Sequence, residues 1–167
     1  MLGLLGVRST TLGEPPPSGD DWYLNLVWIE RQKCLLLTHA GTLFSVFRVG
    51  VHVADLRPLG NYLVEAIEAE LRAEGLPADT FSALEPGSVQ LAKTASRSTL
   101  GFMTEMAFEL GWIMAGKRGL RRSDVNDLNR ALRGCSGTAA TTSARSNSST
   151  NASTFEADAS KHRVWSR

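Results

Sequence analysis

The chain has 167 residues, 43% hydrophobic and 21% charged, which is enough for one well-buried soluble domain and too little for two. Lys and Arg total 18 against 17 Asp and Glu, a formal charge of +1, so bulk electrostatics single out neither nucleic acid nor an anionic membrane as a partner. Two cysteines, Cys34 and Cys135, make neither a disulfide framework nor a metal-ligand set, and no run reaches the ~18 apolar residues that span a bilayer, so the expectation is a cytoplasmic protein without metal, cofactor or membrane.

Residues 1–21 read as an N-terminal segment ending in a proline linker. Met1 to Val7 is apolar, but no basic residue precedes it and Arg8 follows at once, which is not the layout of a secretory signal. Pro15-Pro16-Pro17 cannot donate backbone hydrogen bonds and favours extended chain.

Residues 22–135 carry the periodicities of a single α+β domain. Three strands are expected, over 22–29, 33–39 and 42–49, each rich in branched or aromatic residues. Glu30-Arg31-Gln32 and Ala40-Gly41 leave room only for tight turns, with Gly41 available for a positive φ, so the three form an antiparallel meander. Asp55 is placed to cap a helix in which Leu56, Leu59, Leu63, Ile67 and Leu71 recur at helical spacing up to Gly75. A helical turn over 78–84 and the Pro86-Gly87 break lead to a fourth strand over 89–93.

The next helix, 99–115, is apolar around most of its circumference. Leu100, Met103, Met106, Leu110 and Met114 form one stripe, and Phe102, Phe108 and Trp112 fill much of the remainder, which makes it the core helix. Ser123 or Asp124 caps a last helix with Val125, Leu128 and Leu132 inward. The fold expected is the meander plus a fourth strand, with three to four helices covering one face of the sheet. From 136 to 167, 13 of 32 residues are Ser or Thr and only Phe155, Val164 and Trp165 are large and apolar, the composition of a disordered tail. A reading frame run past its natural stop, as in a mobile gene cassette, produces such a stretch.

One segment concentrates polar chemistry. Lys93, Thr94, Ser96, Arg97 and Ser98 set two cations and three hydroxyls at a helix start, where free N–H groups and the helix dipole favour an anion. The plainer reading makes Ser96 or Ser98 the helix cap and leaves Arg97 solvated. Asn25, inside an apolar strand, is a hydrogen-bonded pin or, with His39, part of a pocket; left unpaired in the interior its amide costs about 1–3 kcal/mol. Cys34 follows Lys33 on a strand, so the two point to opposite faces and the thiol is inert.

These residues resemble a bacterial family of small proteins catalogued only as a domain of unknown function. The likeness lies in Trp22-x-x-Asn25-Leu26, in Arg31-Gln32-Lys33-Cys34-Leu35-Leu36, in Thr42-Leu43-Phe44-Ser45-Val46-Phe47, and most specifically in Ala92-Lys93-Thr94-x-Ser96-Arg97-Ser98-x-Leu100-Gly101-x-Met103-x-x-Met106-Ala107-Phe108. It spans about residues 22 to 133. The resemblance implies no reaction; it marks Asn25, Lys93, Thr94, Ser96 and Arg97 as recurring polar positions. It also implies a further ordered segment ending in an aromatic after the last helix, where this chain has its Ser/Thr-rich stretch.

The expected function is a non-enzymatic module that recognises an anionic group, on a protein or a nucleic acid, through the 93–98 segment. The alternative is a small enzyme with a cleft near Asn25, Cys34, His39, Lys93 and Arg97 acting on a phosphate or carboxylate. A homodimer is expected from aromatics left bare on the core helix. The first helix (about −3) and the last segment (about +4) supply opposed charges to align two copies.

Overall fold

The computed structural model describes residues 7–14, 16–29, 31–82, 84–94, 96–115, 125–133 and 163–166. Strands β1 (Trp22–Ile29), β2 (Gln32–His39) and β3 (Ser45–Val49) form the expected antiparallel meander, with Trp22 opposite His39, Asn25 opposite Leu36 and Ile29 opposite Gln32. The second turn is longer than expected. His39 N–H donates to Phe44 O and Leu43 N–H to His39 O, both at 2.9 Å, and Leu43 takes a φ of 58°, so β3 starts at Ser45 rather than at residue 42. Gly41 supplies close approach instead of a positive φ: a Cβ there would lie 2.8 Å from the Gly19 carbonyl oxygen, which accepts the Gly41 N–H.

Helix α1 (Leu59–Ala73) begins later than Asp55. Pro58 bars Arg57 from helical backbone, and the Asp55 carboxylate instead accepts the N–H of His52 at 2.9 Å, closing a turn upstream. Its end is as expected: Gly75 has a φ of 71°, and the N–H groups of Gly75 and Leu76 return to Arg72 O and Leu71 O. Of the helical turn expected over 78–84, the described residues 78–82 and 84 contain turns and bridges without helix and set the Phe81 ring against Trp22, His39 and Phe44. A 3-10 turn (Pro86–Ser88) precedes β4 (Gln90–Lys93), helix α2 (Arg97–Ala115) and helix α3 over 125–133. The cap and stop expected at Ser123, Asp124 and Gly134 lie outside the described residues.

Helices cover both faces of the sheet, not one. Trp22, Leu24, Leu35, Leu37 and Val46 pack against Leu63, Ile67 and Leu71 of α1, while Tyr23, Ile29, Cys34, Leu36 and Phe47 pack against Met103, Met106, Leu110 and Met114 of α2 with Leu128 and Leu132 of α3. The cause is in the strands: Cys34-Leu35-Leu36-Leu37 is apolar at consecutive positions, so each face presents a row that must leave water.

Among the described residues the sheet has five strands in the order β3-β2-β1-β5-β4. The fourth strand therefore lies one place further out than a neighbour of the meander would. Between it and β1 runs β5 (Arg163–Ser166), parallel to both, drawn from the stretch whose composition reads as a tail. The rest of that stretch lies outside the described residues.

Candidate functional site

The 93–98 segment enters α2 as one compact cluster. Ser96 is the helix cap: its Oγ accepts the Thr99 N–H at 3.2 Å and the Thr99 hydroxyl at 3.0 Å, and lies 2.9 Å from Ser98 Oγ. Its own N–H donates to the Tyr23 hydroxyl at 3.1 Å, a partner on β1 whose ionisation burial pushes up. Lys93 Nζ meets Glu14 Oε1 at 2.5 Å on the surface, and that contact holds the Glu14 carboxyl below its ordinary range. Thr94 is half-buried and engaged. Arg97 and Ser98 are exposed, and Arg97 makes no ion pair among the described residues.

The proposed pocket residues are not brought together. His39, opposite Trp22, belongs to the α1 face, buried between the Trp22 and Phe81 rings at centroid distances of 5.1 and 4.5 Å, with Nδ1 3.0 Å from Thr42 Oγ1. Asn25 has the parity of Tyr23 and Val27 and so belongs to the α2 face, half-buried. Cys34 is also on the α2 face, fully buried, with burial raising its thiol pKa. A strand pair separates His39 from both, so no nucleophile–base pair can form between them.

The opposed charges of the first and last helices meet inside one chain. Glu70 of α1, nearly fully buried, accepts from Asn129 Nδ2 and from Arg133 Nη1, both at 2.9 Å; Arg133 Nη2 reaches Glu74 as well, and Arg130 Nε stands 4.0 Å from the same carboxylate. Asn129 also holds the edge strand, with Oδ1 accepting Phe47 N–H at 2.6 Å and Nδ2 3.2 Å from Phe47 O. This node ties α1 to α3 around β3 and blocks that edge of the sheet.

The surface feature that stands apart is a groove of about 680 Å³ where the end of β1 meets the outer flank of α2. Val27, Trp28 and Ile29 form one side and Thr104, Ala107, Phe108, Gly111 and Trp112 the other; none is ionisable. Trp28, Phe108 and Trp112 are 65, 67 and 70% exposed. Phe108 and Trp112, four residues apart on the helix, pack edge to face at 5.9 Å, whereas Trp28, with the parity of Trp22 and Leu24, turns its ring to the α1 face of the sheet, where Lys33 Nζ sits 5.4 Å from it. Apolar overflow on α2 signals Phe108 and Trp112 in the sequence; Trp28 carries no such signal, because at an ordinary strand position it reads as core.

The chain belongs to the family described as Domain of unknown function (DUF6933), whose model matches residues 3–137. The DUF6933 match takes in β1 through α3 and therefore both the cap cluster and the groove, and leaves β5 outside. No curated protein matches the chain. Among the described residues no group of His, Cys, Asp or Glu could hold a metal ion, and no helix is long and apolar enough to cross a membrane.

Proposed function

We propose that this DUF6933 protein is a non-enzymatic binding module whose binding face is the aromatic groove between β1 and α2. The observation that carries this is the exposure of Phe108 and Trp112 on one uncharged hollow beside the end of β1. Against the enzyme alternative stands the separation of His39 from Cys34 and Asn25 by the sheet. A cytoplasmic location and an origin in a mobile gene cassette fit this reading as proposals of the same kind.

The anion reading survives in a reduced form. Ser96 is committed as the cap and Lys93 is held by Glu14, which leaves Arg97 and Ser98 as the exposed groups to meet a phosphate or carboxylate. Titration with inorganic phosphate, followed by the amide shifts of residues 96–99, tests it; shifts lost in Arg97→Ala support it, and no saturable shift removes it.

The groove is tested with the double substitution Phe108→Ser and Trp112→Ser in the full chain. The expected result is loss of either self-association or the fluorescence of a bound anilinonaphthalene dye, at an unchanged melting temperature. If the substitutions alter neither, the groove is not the binding face.

A further inference from the structure

We infer that the partner seated in this groove is a second copy of the chain, joined by antiparallel pairing of the open half of β1 with its own copy about a two-fold axis through Val27. The inference rests on the reading of the groove as the binding face.

The first ground is the strand edge. On one side β1 pairs with β2 along its whole length, but on the other β5 reaches only Trp22–Leu24, and no described strand lies along that edge from Asn25 to Ile29. An unpaired edge offers a row of N–H and C=O groups that seek a strand. The groove runs along this same stretch, so main-chain pairing and apolar burial are available together.

The second ground is self-complementarity. An antiparallel pair centred on Val27 sets Asn25 of one copy opposite Ile29 of the other, and beyond that window the two β5 strands stand at opposite ends of the joint, out of each other's way. With no ionisable group in the lining, the groove itself sets no like charges against each other in such a pair. An aromatic side chain buries roughly 150–250 Å², so Phe108 and Trp112 at about two-thirds exposure offer roughly 200–330 Å² per copy. Two copies thus cover roughly 400–660 Å² from these rings alone, and the paired strand edge with Val27 adds to that toward the about 1,200 Å² at which specific assemblies begin.

The third ground is what the chain itself has left to cover the groove. Residues 116–124 and 134–162, outside the described set, contain one large apolar side chain each, Leu120 and Phe155. Residues 1–6 contain four and are the internal competitor.

The test is a cysteine at the axis, Val27→Cys, in a full-length chain carrying Cys135→Ser, with Glu65→Cys on exposed α1 as the control. Opposed residues of an antiparallel pair have Cβ atoms about 4.5–5.5 Å apart, within reach of disulfide formation after small adjustment. The expected result is a covalent dimer, reversed by reductant, from Val27→Cys and none from Glu65→Cys, with a native chain that sediments as a dimer. A native dimer that Val27→Cys does not cross-link overturns the pairing. So does a native monomer that gains dye binding on Leu4→Ser with Leu5→Ser, because the N-terminal residues then fill the groove. A native monomer that binds the dye at Phe108 and Trp112 removes the self-pairing and leaves the groove as a binding face; a monomer that binds no dye in any variant removes both.

Discussion

The two edges of the meander are finished in opposite ways. At β3, Asn129 takes both main-chain groups of Phe47 and is itself held by Glu70, which Arg133 neutralises, so every polar partner comes from the same chain and the edge is closed. At the far half of β1 the edge has no described strand beside it, and Phe108 and Trp112 of α2 stand exposed at the groove that adjoins it. The buried polar groups stand at the first edge and the exposed aromatics of α2 beside the second. That contrast is why the proposed binding face is the open edge and not the cluster of hydroxyls and cations at α2, whose Ser96 serves as the cap.

The largest effect is expected at the closed edge. Arg133→Ala leaves Glu70 buried beside Asn129 without its counter-charge, a loss of about 3–5 kcal/mol, which is a fall of roughly 10 °C in melting temperature for a chain of this size. Thermal unfolding followed by circular dichroism measures it; a fall under 2 °C, on the scale of a surface substitution, would mean the node is not what closes that side. Next is Gly60→Ala. A Cβ at Gly60 would stand 2.2 Å from the Pro86 carbonyl oxygen, so α1 and the 3-10 turn must part, and a cost of about 1–3 kcal/mol is expected in denaturant unfolding.

Ser96→Ala removes the α2 cap and is expected to cost about 1 kcal/mol. Because α2 carries the aromatic side of the groove, the same variant sharpens the comparison: self-association should weaken little while stability falls, the reverse of the groove substitutions. The smallest effect concerns pH. Lys93 lowers the Glu14 carboxyl below its ordinary 4.5, so the pair's contribution is present above that value and is lost as pH falls through the lowered one. Both side chains are in water, and Glu14→Gln should leave the acid limb of the stability profile nearly unchanged.

How much of this is legible in the sequence follows the range of the interactions. The meander is, because the connection at Glu30-Arg31 and the one after His39, which the structure extends to Phe44, are both too short for a crossover. Coverage of both sheet faces is written in the consecutive apolar run from Cys34 to Leu37, which alternation-based reading passes over. The cap cluster is local and legible as a cap. The Glu70–Asn129–Arg133 node joins residues 59 and 63 positions apart and leaves no local trace. Asn25 and His39 are assigned to opposite faces only by the register that sets Asn25 against Leu36 and His39 against Trp22. Strand β5 is four residues in a Ser/Thr-rich stretch, held by parallel partners from both ends of the domain, and its propensity alone could not have announced it.

The central claim is that the open edge is the working face. Sedimentation of the full-length chain beside its Phe108→Ser, Trp112→Ser variant tests it most directly. A dimer for the native chain and a monomer for the variant, at melting temperatures that agree once both are measured as monomers, is the predicted result; a variant that remains as dimeric as the native protein would contradict the account.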